Sequence, residues 1–181
     1  MSKYFIYASF VAAGALAVAA GSSVLAQDSR SGPNHVRASL NGFQENPSIV
    51  TSGTGTFDLW IDEARQTITF ELTYSGLEGG TVSAAHIHIG SRATNGGVSA
   101  FFCGGSTKPV PCPQEGTVTG TITPADVVGP TGQGIEPGEF EKLVRAIRAG
   151  HTYANVHTVP RWPGGEIRGQ INNDSQRQFE Q

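Results

Sequence analysis

The chain has 181 residues, including 24 Gly and 10 Pro, and a formal net charge of −3 at pH 7. That length suits a single core-bearing domain. Mild acidity without a basic run excludes nucleic acid or an anionic lipid surface as the main partner.

From the N-terminus, Lys3 gives a short positive start and residues 4–20 carry no charge. Val24-Leu25-Ala26 then places small or modest side chains before Gln27. Charge, apolar run and small-residue exit, in that order, predict a cleavable signal peptide over residues 1–26. The run is short for a spanning helix and rich in Ala and Gly rather than Leu. Residues 27–35 read as a linker, 36–172 as one domain and 173–181 as a polar tail. The protein is therefore expected to be secreted or periplasmic, with no membrane span once the leader is removed.

Within the domain, apolar residues recur with a period of two. Phe57, Leu59 and Ile61 alternate with Asp58, Trp60 and Asp62; Ile68, Phe70, Leu72 and Tyr74 alternate with Thr67, Thr69, Glu71 and Thr73. The intervening Glu63-Ala64-Arg65-Gln66 is short enough for a hairpin. The same alternation runs through 117–123 and 166–171, and further strands are expected at 36–42, 82–89, 98–103 and 151–158. Strands with one apolar and one wet face bury the apolar faces by packing sheet on sheet or by closing a barrel. The predicted class is all-β, a Greek-key-like antiparallel β-sandwich of about eight strands. Phe140, Leu143, Val144 and Ile147 break the pattern with helical spacing, and Gly150 follows them. They predict one short crossover helix over 139–149.

Cys103 and Cys112 are the only cysteines. An even pair in an exported chain reads as one disulfide, closing a loop that Pro109 and Pro111 stiffen. A thiol metal or redox pair is the alternative, and the spacing fits no common close-set thiol motif.

The candidate chemistry lies in Ala84-Ala85-His86-Ile87-His88-Ile89-Gly90. On a strand, His86 and His88 share a face, with Ile87 and Ile89 directed to the core. Tyr153, Asn155 and His157 share a face of the 151–158 strand in the same way. If these strands are neighbours, His86, His88 and His157 form a three-imidazole site suited to copper or zinc, with His151 a candidate fourth ligand. The competing reading makes the histidines polar side chains of a wet face, bonded to carbonyls or to carboxylates such as Glu166 or Glu71. No nucleophile elbow, phosphate loop or zinc-protease helix is present, so no catalytic site is recognisable. Trp162, in Pro160-Arg161-Trp162-Pro163-Gly164-Gly165, is expected to pack over an end of the sandwich.

Taken together, Leu40-Asn41-Gly42-Phe43-Gln44-Glu45-Asn46-Pro47 with Gly53-Thr54-Gly55, the 85–90 segment with Asn95-Gly96-Gly97, and Gly120-Thr121-Ile122-Thr123-Pro124-Ala125-Asp126-Val127 resemble successive motifs of a CHRD (chordin-type) domain. Tyr153-Ala154-Asn155-Val156-His157-Thr158 and Pro163-Gly164-Gly165-Glu166-Ile167-Arg168-Gly169-Gln170-Ile171 resemble its end. The resemblance covers about residues 36–172. It implies export and a β-sandwich. The leading functional reading beside it is a binding or structural module acting on an extracellular or envelope protein or glycan, and the alternative is the three-histidine copper or zinc site. Locally, Gly76-Leu77-Glu78-Gly79-Gly80 leading to His86-Ile87-His88, with Asn155-Val156-His157 later, is similar to the copper strands of copper/zinc superoxide dismutases. That likeness assigns His86, His88 and His157 to copper, while the bridging histidine and the zinc ligands have no counterpart here.

Overall fold

The computed structural model describes residues 34–172 together with Met1. The predicted leader, almost all of the linker and the 173–181 tail lie outside the described residues. Eight strands and one α-helix make up the domain: β1 (His35–Asn41), β2 (Thr54–Asp62), β3 (Thr67–Ser75), β4 (Gly80–Ile89), β5 (Val98–Cys103), β6 (Gly116–Ile122), α1 (Phe140–Arg148), β7 (Thr152–Pro160) and β8 (Trp162–Gln170). All pairings are antiparallel, in the order β5-β4-β7-β8-β1-β2-β3-β6. The class, the strand number and the crossover helix are those expected from the sequence.

Hydrogen bonding runs through one continuous sheet that folds over on itself. Its thinnest join is between β8 and β1, which pair through Asn41 and Arg168 and a bridge from Arg37 to Asn172. Phe102 of β5 shows how the halves meet: its ring lies 4.6 Å from Phe57 of β2 and 4.8 Å from Phe70 of β3. Tilted aromatic pairs at such distances add to the area that they bury. The alternating residues of β2 and β3 point into this core, where Phe57, Leu59, Ile68 and Leu72 are fully buried. The 63–66 linker closes the β2–β3 hairpin, with Gln66 at a positive φ of 51°.

Helix α1 carries the chain from the edge strand β6 back to β7. Phe140, Leu143, Val144 and Ile147 form its buried stripe. Gly150 ends it at φ 72°, a backbone region open to glycine at little cost. The Cys103–Cys112 disulfide is formed, closing the loop after β5.

One expectation is corrected. The strand faces away from the core are not uniformly wet: β4 is buried on both faces over its second half, and β7 over most of its length. Two loops cover that outer face. In the 42–49 segment, the Gln44 carboxamide oxygen accepts from Gln170 N and Glu45 reaches Asn155. In the 90–97 segment, Ser91 and Gly96 bond to Arg168, His88 and Tyr153. The second apolar layer that periodicity cannot supply is replaced here by buried polar groups.

Candidate metal centre

β4 and β7 are hydrogen-bonded neighbours, so the condition for a three-histidine site is met. Their register sets Ala84 opposite His157, His86 opposite Asn155 and His88 opposite Tyr153. His86 and His88 therefore occupy successive positions on one face, and His157 stands diagonally beside His86. Ring centroids are 4.4 Å apart for His86 and His157, 4.5 Å for His86 and His88, and 5.9 Å for His88 and His157. One ring nitrogen from each lies within 4.8 Å of the other two. Bonds of about 2 Å to one ion place ligand nitrogens about 3.3–3.5 Å apart, so the three must draw together to share an ion.

The hydrogen bonds fix which nitrogens are offered. His88 Nδ1 lies 2.8 Å from the Gly96 carbonyl oxygen and His157 Nδ1 lies 2.9 Å from that of Pro163. A carbonyl oxygen only accepts, so both Nδ1 atoms carry the proton and both Nε2 atoms present a lone pair. Those two Nε2 atoms, with Nδ1 of His86, are buried and have no hydrogen-bond partner. Buried polar atoms without a partner are uncommon in a native fold. Here each of the three clustered histidines carries one.

The rings are 6–8% exposed. Burial opposes their protonation and pushes every pKa below the usual 6.5. His86 falls to about 2, helped by the mutual repulsion of the three rings, and His88 falls to about 4. For His157 the shift is also downward, against the pull of its bond to Pro163. All three are neutral at physiological pH, the form that binds metal.

The surroundings tie the rings down. Phe101 of β5 meets His86 edge-on at 5.1 Å, and Tyr153 stacks on His88 at 4.7 Å. Arg168 of β8 lies with its guanidinium 3.4 Å from the far side of the Tyr153 ring. Glu45 accepts from Asn155 at 2.6 Å, and burial raises its pKa to about 7. Gly165, at φ 124°, admits this contact: a Cβ there would stand 2.6 Å from the Glu45 carboxylate.

Of the other sequence candidates, His151 is exposed and bonds Ser91, outside the cluster. Glu166 does not serve the histidines. Its fully buried carboxylate accepts from Thr51 Oγ1, Glu78 N, Gly79 N and Thr158 Oγ1. Glu71 lies on the exposed side of β3. Trp162 is half-buried beneath the Arg161 guanidinium. Arg168 and Glu45 were not singled out by sequence reasoning. The available signal was Glu166, Arg168 and Gln170 alternating against Ile167 and Ile171, a polar face that the strand pattern assigns to water.

A family model described as CHRD domain matches residues 36–171. None of the curated proteins and none of the solved structures matches the chain. The matched region takes in every residue of the cluster and both loops above it.

Proposed function

The chain belongs to the CHRD-domain family, and from that premise we propose an exported binding module, not an enzyme, whose ligand is one copper or zinc ion held by His86, His88 and His157. Export is supported by the leader pattern of residues 1–26, by the family and by the Cys103–Cys112 disulfide. The observation that carries the metal reading is the grouping of three buried imidazoles that offer one ligand atom apiece within 4.8 Å of one another, each with a buried ring nitrogen that has no partner. Imidazole nitrogens suit copper and zinc, and bonds from ring N–H groups to backbone carbonyls are the usual outer-shell support of such ligands. The two strands hold the ligands with little loss of freedom on binding.

The test is metal analysis of protein purified after export to an oxidising compartment, followed by titration of the metal-free protein with Cu(II) and Zn(II). Stoichiometric binding that H86A/H88A/H157A abolishes is the expected result. Binding that survives in the triple variant, or no binding by the wild type, would refute the reading.

A further inference from the structure

Resting on that metal reading, we infer that the site selects copper in its monovalent state, Cu(I), over Cu(II) and Zn(II). Three features lead there. First, the ligand set is neutral: among the described residues the cluster holds three imidazoles and no carboxylate or thiolate. Second, the site is buried, and a low-dielectric setting penalises a divalent ion more than a monovalent one. Third, a fixed charge close to the site, which lowers the pKa of His88, has the same sign as the ion. The Arg168 guanidinium sits 3.4 Å from the ring of Tyr153, which itself stacks 4.7 Å from His88. A cation one aromatic ring away from a ligand repels a dication about twice as strongly as a monocation. Glu45 offsets that charge only in part: its carboxyl bonds Asn155, and burial raises its pKa to about 7.

Coordination number points the same way. Cu(I) is content with three nitrogens in a plane, whereas Zn(II) completes a tetrahedron and Cu(II) a tetragonal set. With Phe101 and Tyr153 against the rings, the extra ligands that those ions require must be brought into a crowded site. Cu(II) heads the divalent series on nitrogen sites and is the strict comparator.

The experiment measures three affinities of the metal-free, disulfide-intact protein by competition with chromophoric chelators: Cu(I) without oxygen, Cu(II) and Zn(II). The wild type should bind Cu(I) at least about tenfold more tightly than either dication, a factor that for a one-electron copper couple corresponds to 59 mV. In R168Q the Cu(I)/Cu(II) preference should fall by about tenfold, and R168K should restore it, separating charge from packing. Cu(II) or Zn(II) bound as tightly as Cu(I) by the wild type would overturn the inference while leaving the metal site standing. So would equal shifts in folded R168Q and R168K. If R168Q does not fold, the wild-type affinities decide alone. No binding of any of the three ions would remove the parent reading and this inference with it.

Discussion

Acidification of the metal-free protein should destabilise it through the histidine cluster. His88 is held at about 4, His86 at about 2 and His157 below its usual value, all by burial. In the unfolded chain each ring protonates near pH 6.5, so the unfolded state binds more protons below that pH. The stabilisation is complete above pH 6.5 and is lost as pH falls from there, toward about 4 for His88 and about 2 for His86. Between pH 8 and pH 5, a ring that stays neutral in the fold loses about 2 kcal/mol, so His86 and His88 together lose about 4 kcal/mol. Glu45 has the opposite sign. Burial raises its pKa to about 7, so its protonation in the fold returns about 2–3 kcal/mol over the same interval. Comparison with H86Q/H88Q/H157Q, which retains Glu45, isolates the histidines. Urea unfolding with EDTA, followed by tryptophan fluorescence, should show the wild type losing at least about 4 kcal/mol more than the variant between the two pH values, His157 adding to the two-ring figure. Equal losses in the two proteins would refute the reasoning.

Reduction of the Cys103–Cys112 bridge, whose ends are 9 residues apart in sequence, should lower stability by about 2–3 kcal/mol; a urea midpoint insensitive to reductant would contradict this. Glu166→Ala removes the acceptor of four hydrogen bonds in the buried joint between β8 and the 76–79 turn. It should cost at least about 3 kcal/mol in chemical denaturation, because buried donors are stranded, and a loss under about 1 kcal/mol would show that the joint rearranges freely. Phe102→Ala empties the contact with Phe57 and Phe70 across the folded sheet. Calorimetry should show a loss of about 3–5 kcal/mol, and a near-neutral change would mean that the two halves close the gap.

Much of the molecule was legible before any coordinate. Alternation of Phe57, Leu59 and Ile61 or of Ile68, Phe70 and Leu72 is local information, because side chains on a strand change face at each step. The spacing of Phe140, Leu143, Val144 and Ile147 is likewise a property of one helix. Two histidines separated by Ile87 share a face for the same reason, and the only two cysteines could pair only with each other. Strand pairing is different. That β4 lies beside β7, across more than sixty residues of chain, is settled by how the whole sheet closes over its core. Only that pairing, with its register and the irregularity near Val82, brings His157 to His86 and His88. Burial of their face was also out of reach, since it depends on the 42–49 and 90–97 loops folding back over β4, β7 and β8. Those loops and the turn before Gly165 supply the Gly96 and Pro163 carbonyls that select the tautomers of His88 and His157. The sequence by itself determined which side chains share each strand face, because that is set by the geometry of one chain segment. Only the tertiary structure decided which faces meet and which are closed from water, because both depend on contacts between distant segments.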